Sequence, residues 1–91
     1  IDEELLADIK RKSEYIFKSL EGAKGVKSVS GMGLMIGIET ERKNTDILAE
    51  AREKGVLALS AKTKVRLLPP LNITDELLAE AIEILKEIIA K

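Results

Sequence analysis

The segment from residue 74 to the end of this 91-residue sequence carries the pattern that most restricts its fold. Two apolar stripes run side by side at the three- and four-residue spacing of an α-helix: Leu77, Ala81, Ile84 and Ile88, and Leu78, Ile82, Leu85 and Ile89. Thr74 is a suitable N-cap for this helix, and Asp75 and Glu76 suit the positive end of its dipole. Because so broad an apolar face needs a flat apolar surface beneath it, the segment predicts a helix that lies across a sheet.

Two further amphipathic segments predict helices. Residues 3–20 form the first, with Asp2 as a candidate N-cap, and residues 44–54 form the second, capped by Asn44 or Thr45. The apolar residues expected on the inner sides of the two helices are Leu5, Leu6, Ile9, Ile16, Phe17 and Leu20, and Ile47, Leu48 and Ala51.

Four short runs rich in aliphatic residues predict strands between these helices, at residues 26–29, 34–39, 56–59 and 65–68. Residues 30–33, Ser-Gly-Met-Gly, are predicted to be the turn of a hairpin, because glycine adopts the positive φ of tight turns. The run Leu34–Ile38 is apolar throughout, which is typical of a strand that is covered on both faces. Since a chain of this length can rarely cover both faces by itself, we expect something outside it to cover the second face.

The elements follow one another in the order αββαββα. This order predicts an α+β two-layer sandwich, in which helices cover a small and mainly antiparallel sheet. We interpret residues 1–91 as a single domain of that kind. Because the sequence opens directly in a helical pattern and without an initiator methionine, we expect it to be a fragment of a longer protein.

The composition argues against several kinds of function. The sequence has no cysteine and no histidine, so a thiolate nucleophile, a cysteine zinc site and an imidazole base are all excluded. Its 15 basic and 16 acidic residues, with one tyrosine and one phenylalanine, provide neither the basic surplus nor the stacking platform of a nucleic-acid binder. No apolar run approaches the length of a membrane span, and we expect a cytoplasmic protein without membrane or nucleic-acid partners.

Arg66 is the candidate for ligand binding. Side-chain alternation in the predicted strand places Val65 and Leu67 on one face and Arg66 and Leu68 on the other. The pair Pro69-Pro70 ends this strand, so Arg66 lies close to a rigid loop. Its guanidinium can hold a carboxylate through two parallel hydrogen bonds. From the residues alone, a solvated arginine or the partner of a surface ion pair remains the alternative interpretation.

Three segments of the sequence together resemble the class III (fold type I) aminotransferases, which depend on pyridoxal phosphate. Residues 31–39 (GMGLMIGIE), 51–57 (AREKGVL) and 65–74 (VRLLPPLNIT) are similar to family segments in the same order and at compatible spacing. Within this family, the three segments are most similar to those of acetylornithine aminotransferases. The sequence departs from the family pattern at Ser30, where arginine is frequent, at Met32, where lysine is common, and in residues 60–64, which lack a frequent glycine.

The resemblance implies that the chain is the small C-terminal domain of such an enzyme and that Arg66 holds the substrate α-carboxylate against the cofactor. The reaction implied for the parent enzyme is amino transfer between N-acetylornithine and 2-oxoglutarate, in arginine biosynthesis. The family's Schiff-base lysine and the other residues that bind pyridoxal 5′-phosphate would lie in the large domain upstream. The resemblance therefore assigns no catalytic, cofactor-binding or metal-binding residue to this chain, which is expected to be inactive alone. The partners implied are that large domain, an amino-acid substrate and a second copy of the full-length enzyme.

Two other functions stay open beside this interpretation. A small α+β sandwich can serve as a free-standing module that binds a small ligand or regulates another protein, and it can serve as a dimerisation domain without catalysis. Met35, Gly37 and Leu68 distinguish the interpretations. A large domain would cover these residues in an aminotransferase, whereas a second copy would cover them in a dimerisation domain.

Overall fold

The computed structural model describes residues 3–56, 58–70 and 72–91, with Leu59 and Ala61 described by their backbone alone. The chain runs through α1 Glu3–Leu20, β1 Val26–Met32, β2 Met35–Thr40, α2 Asn44–Glu53, β3 Ala58–Ala61, β4 Lys64–Leu67 and α3 Asp75–Ala90. This is the predicted order αββαββα, and the predicted α+β architecture is confirmed. In the described part of the chain, none of the helices combines the length and the apolar character that crossing a membrane requires.

The four strands form one antiparallel sheet in the order β1-β2-β4-β3. β1 and β2 form a hairpin that closes at the pair Met32 and Met35, and β3 and β4 form a second hairpin. The two hairpins meet where β2 lies beside β4, with Gly37 directly opposite Arg66. Arg66 therefore belongs to a central strand, whose backbone is held by a neighbour on each side.

The helices pack against one face of this sheet. α3 contributes most of the helical core through the second of its two predicted stripes, whereas Leu77 from the first stripe is 57% exposed. Ile88 of the first stripe is buried as well, and Ala81 and Ile84 are partly buried against the core. The prediction that α3 lies on a sheet is thus confirmed, and the first stripe is exposed at its N-terminal end, at Leu77. The buried apolar side chains of the described residues are Ile16, Leu20, Leu34, Ile36, Ile38, Ile47, Ala51, Val56, Val65, Leu67, Leu78, Ile82, Leu85, Ile88 and Ile89.

The first hairpin is confirmed, but the prediction that residues 30–33 form its turn is wrong. Residues 30–32 belong to β1, and the turn is the pair Gly33-Leu34. Gly33 has φ +60°, at the position that type II′ turns give to glycine. Gly31 lies inside the strand with φ +141°, where a Cβ atom would stand 2.1 Å from the Met35 carbonyl oxygen. Glycine is thus required at Gly31 by the close approach of two strands and at Gly33 by the turn. The sequence alone does not distinguish these two reasons for a glycine.

Among the residues that the structure describes, β2 is covered on one face only. Leu34 lies in the turn, and the strand begins at Met35. Ile36, Ile38 and Thr40 are buried, whereas Met35 between the turn and the core is 61% exposed. The apolar run of the sequence therefore includes one turn residue and one exposed residue. That something outside the chain covers the second face stays a prediction.

The start of α2 also differs from expectation. Its N-cap is Lys43, which makes no capping hydrogen bond with its side chain. Asn44 is the first helical residue and is buried; its Nδ2 donates to the Ser60 hydroxyl at 3.2 Å and to the carbonyl oxygens of Lys62 at 2.9 Å and Lys64 at 3.2 Å. A buried amide needs such partners, and Asn44 consequently ties α2 to the hairpin of β3 and β4.

The remaining boundaries shift by one or two residues. β3 begins at Ala58, after Val56, and β4 ends at Leu67. Asp2 as an N-cap and Leu57 as a strand residue lie outside the described residues. The Thr74 cap is confirmed, because the Thr74 hydroxyl accepts a hydrogen bond from the Leu77 backbone at 3.2 Å.

Candidate functional site

No described helix or strand covers the face of the sheet opposite the helices, and Arg66 lies on this open face. Val65 and Leu67 of β4 are buried in the core, while Arg66 between them is exposed and Leu68 beyond them is 39% exposed. Successive side chains of a strand point to opposite faces, so this is the arrangement that alternation predicts for Arg66. The predicted face is confirmed for Arg66, whereas Leu68 lies beyond the end of β4 and lines a cavity with Leu67 and with Leu78 of α3.

Arg66 is part of a row of residues that crosses three strands. Ser30 of β1 pairs with Gly37 of β2, and Gly37 pairs with Arg66 of β4. This row forms the floor of a shallow groove of about 210 Å³. The groove is lined by Ser30, Lys64 and Arg66, by Met35, and by the two glycines Gly31 and Gly37.

Lys64 brings a second positive charge to this groove. The Lys64 Nζ lies 3.5 Å from the Ser30 hydroxyl, so the Lys64 side chain passes over Gly37 toward β1. The residues that line the groove include two cations and no carboxylate. Glu39, an acidic residue two positions from Gly37 in β2, accepts hydrogen bonds from the Thr63 hydroxyl at 3.4 Å. The electrostatics of the groove therefore favour an anionic ligand.

The Arg66 guanidinium is free to bind such a ligand. No hydrogen bond or ion pair joins it to any other residue among those the structure describes. Arg42, by contrast, donates to the Glu50 carboxylate at 3.0 Å and to the Ile88 carbonyl oxygen at 2.6 Å. Arg42 is thus used by the fold, whereas Arg66 contributes a planar donor group that the fold leaves unused.

A separate ionic cluster between α1 and α3 serves the fold. Lys12 is 4% exposed, donates to the Ile73 carbonyl oxygen and pairs with Asp8 at 2.8 Å. Arg11 contacts Asp8 as well, and it pairs with Asp75 at 3.0 Å. The hydrogen bond from Lys12, followed by the one from Arg11, lowers the pKa of Asp8. The two cations of this cluster are paired with two carboxylates of the chain. The cluster is therefore a weaker binding site for an anionic ligand than the groove.

Sequence reasoning identifies Arg66 but misses its neighbours in the groove. Lys64 could have been found, because the two-residue alternation that places Arg66 on the open face places Lys64 there too. Gly37 also carries a signal, since a glycine inside an apolar strand marks a bulge or a close approach of another group. Ser30 is missed because the sequence places it in the turn of the predicted hairpin, whereas it lies in β1 and pairs with Gly37.

The sequence profile of the family described as "Aminotransferase class-III" matches residues 1–89. Acetylornithine aminotransferase of Haemophilus ducreyi is 40% identical over 88 residues, which cover 94% of this chain and 22% of that protein. Acetylornithine aminotransferase of Lactococcus lactis is 42% identical over 96 residues, covering 98% of this chain and 26% of that protein. The crystal structure of N-acetylornithine aminotransferase from Stenotrophomonas maltophilia matches with a TM-score of 0.87 and 31% identity, covering 98% of this chain and 27% of that one.

The matches therefore cover nearly all of this chain but only a part of each relative. Almost the whole chain takes part in each of these matches, and its fold agrees with that of the solved relative. The chain itself spans only about a quarter of the length of the relatives that it matches. The family implied by the three sequence segments is confirmed: this chain belongs to the class-III aminotransferases.

Proposed function

We propose that this chain is the C-terminal small domain of a pyridoxal-phosphate-dependent aminotransferase of the acetylornithine type, and that Arg66 binds the α-carboxylate of the substrate. One observation carries this role: the Arg66 guanidinium stands exposed in a positively charged groove, without a partner among the described residues. The names of the relatives support the type of enzyme, because both curated relatives quoted above are acetylornithine aminotransferases.

Arg66 acts by orienting the substrate. Two parallel hydrogen bonds from its guanidinium fix the plane of a carboxylate, and they thereby restrict the directions in which the neighbouring amine can point. β4 lies between β2 and β3, so the backbone that carries Arg66 is held on both sides. Lys64 adds a second cation beside it and raises the local concentration of anionic substrates.

The residues of the groove do not form a site for pyridoxal phosphate by themselves. Cofactor sites enclose most of the ligand and bring polar groups from several sides. The groove is a shallow depression in one sheet face, with Arg66, Lys64 and Ser30 as its polar groups. We therefore assign the cofactor, which supplies the amino-transfer chemistry when bound, to the large domain of the enzyme.

Several further expectations belong to this proposed function. The large domain of the same protein would lie over the open face, and the full-length enzyme would form a homodimer. The reaction would be amino transfer between N-acetylornithine and 2-oxoglutarate, in arginine biosynthesis, in a cytoplasmic enzyme. The chain alone would have no transaminase activity, since the groove holds the substrate-binding arginine and no site for the cofactor. The names of the relatives support the reaction, and their greater length supports a further domain in the same protein.

The role of Arg66 is tested by Arg66→Ala in the full-length enzyme. We expect kcat/KM for the amino-acid substrate to fall by roughly a hundredfold or more, because two hydrogen bonds to a charged group are lost. Arg66→Lys should recover only part of this loss, since a point charge does not replace the planar fork. Steady-state kinetics measure both effects, and the absorbance of the bound cofactor shows that it is retained.

A second exposed arginine provides the control. Arg52 lies on α2, outside the groove, and Arg52→Ala removes the same charge from the chain. We expect this variant to keep the kinetics of the parent enzyme. Unchanged kinetics in Arg66→Ala, or an equal loss in both variants, would show that Arg66 does not bind the substrate.

A further inference from the structure

Gly37 is a glycine that the fold does not require. It lies inside β2, and its φ is outside the range that favours glycine. A Cβ atom at this position would find Lys64 Cδ at 3.6 Å and the Ser30 hydroxyl oxygen at 3.7 Å, which are ordinary van der Waals distances. Since glycine weakens the interior of a strand relative to alanine, the isolated fold would favour a larger residue here.

The position of Gly37 suggests what its missing side chain provides. Gly37 lies between Ser30 and Arg66 in the row that crosses β1, β2 and β4. A side chain at Gly37 would stand in the groove, because the nearest atoms around its Cβ position belong to Ser30 and Lys64, which line it. The empty space therefore lies between Lys64 and Ser30, in the same groove that Arg66 lines from the neighbouring strand.

On the basis of the function proposed for Arg66, we propose that Gly37 is a specificity-determining position of the substrate site. Its missing side chain lets the carboxylate and the α-carbon of the substrate lie against the sheet, in the plane of the Arg66 guanidinium. A methyl group at Gly37 would lift the substrate away from that plane. The hydrogen bonds of the guanidinium depend on this geometry, and a displacement on the order of 1 Å lowers the rate strongly.

The experiment compares Gly37→Ala and Gly37→Val in the full-length enzyme. We expect the KM for the amino-acid substrate to rise roughly tenfold in Gly37→Ala, and further in Gly37→Val, with a smaller change in kcat. The melting temperature should be equal to or higher than that of the parent, because the strand itself tolerates a side chain here, and the absorbance of the bound cofactor should match that of the parent. These two measurements separate a substrate effect from a folding effect, because damage to the fold would lower the melting temperature and release cofactor.

Ser28→Val is the matched control. Ser28 lies one row further along the same sheet face, opposite Glu39 and outside the groove, so this variant adds a branched side chain without narrowing the site. We expect it to keep the KM of the parent enzyme. An increase in KM equal to that of Gly37→Val would overturn the role of Gly37.

Three results separate this inference from the function on which it rests. An unchanged KM in both Gly37 variants, alongside a large loss in Arg66→Ala, would overturn the role of Gly37 alone. Loss of cofactor or a lower melting temperature in the Gly37 variants would also overturn it, because Gly37 would then accommodate the rest of the enzyme. Unchanged kinetics in the Gly37 variants and in Arg66→Ala together would overturn the proposed function itself.

Discussion

Lys62 occupies a backbone conformation that costs free energy. It has φ +60°, the left-handed region, where the Cβ atom of an L-residue is crowded by about 1 kcal/mol or more. Lys62 belongs to the two-residue turn between β3 and β4, in the segment that lacks a glycine frequent in the family. The turn persists because Asn44 donates a hydrogen bond to the Lys62 carbonyl oxygen, at 2.9 Å, and holds the hairpin from the side.

Lys62→Gly should therefore stabilise the chain. Removal of the Cβ atom relieves the crowding, while the greater freedom of glycine in the unfolded chain offsets part of the gain. We expect the free energy of unfolding to rise by about 0.5 kcal/mol, measured by urea denaturation. Lys62→Ala is the matched control, because it removes the lysine side chain and keeps the Cβ atom. If both variants have the same stability, the left-handed backbone of Lys62 is not strained.

Single residues also show which features of the site the sequence could predict. The face of Arg66 follows from a local rule, because side chains alternate along any strand. Two other features of Arg66 depend on the register between β2 and β4. These are the position of Gly37 opposite it and the lack of a partner for its guanidinium among the described residues. That register is set by the packing of buried residues such as Ile36 and Val65 from distant parts of the chain, so no local pattern contains it.

Among the elements, the helices agree with prediction better than the ends of the strands. The buried positions of α1 and α3 repeat at helical spacing over many residues, and this repetition averages out local exceptions. The strands are four to seven residues long, so one glycine or one polar residue is enough to move a predicted end. Asparagine is a residue type that often caps helices. The Asn44 amide instead binds the hairpin of β3 and β4, which only the folded chain brings close.

An ionic network joins α2 to the segments on either side of it. The Glu50 carboxylate accepts hydrogen bonds from Arg42 at 3.0 Å and from Lys91 at 3.2 Å. Arg42 also donates to the carbonyl oxygen of Ile88 in α3. The hydrogen bonds from Arg42 and then Lys91 lower the pKa of Glu50. In the unfolded chain these contacts are lost and the pKa of Glu50 returns to its ordinary value.

This network makes stability depend on acidic pH. A carboxylate whose pKa is lower in the folded chain stabilises the fold above its unfolded pKa, and the contribution is lost as the pH falls through the folded pKa. We expect Glu50→Gln to lower the melting temperature by a few degrees at pH 7, and the difference from the parent to shrink as the pH falls below about 5. Thermal unfolding followed by circular dichroism across this pH range measures both effects.

Glu53→Gln provides the comparison for this prediction. Glu53 is an exposed residue of the same helix, so the substitution makes the same chemical change away from Arg42 and Lys91. We expect its melting temperature to follow that of the parent at each pH. A difference between Glu50→Gln and the parent that persists undiminished at acidic pH would show that the Glu50 charge is not the stabilising group.

At the scale of the whole molecule, the described residues form two layers, helices on a sheet, and leave the outer face of that sheet uncovered. The helices bury one face of the sheet, and the other face carries Met32 and Met35, which are 85% and 61% exposed. These side chains lie at one end of the open face, next to the groove of Arg66. Clustered apolar side chains of this kind mark a surface that binds another protein surface. In the proposed enzyme, the large domain supplies the surface that covers this open face. The isolated chain lacks the large domain.

The open face should therefore drive self-association when the chain is studied alone. We expect the average mass in sedimentation equilibrium to rise above that of one chain as the concentration increases. Met32→Lys combined with Met35→Glu should weaken this association by roughly tenfold, because two apolar contacts are replaced by charges. The two substituted positions lie opposite each other in the first hairpin, so their charges attract and the hairpin is retained.

Exposed leucines elsewhere on the chain decide whether this association is specific to the open face. Leu6 of α1 and Leu77 of α3 are 52% and 57% exposed, close to the exposure of Met35, and both lie on helices. We expect Leu6→Lys combined with Leu77→Glu to leave the association unchanged. An equal effect of both pairs would mean that exposed apolar area of any kind causes it, and a chain that stays monomeric at every concentration would mean that the open face is too small to bind. Either result would remove self-association as evidence that the sheet face beside Arg66 is made to be covered.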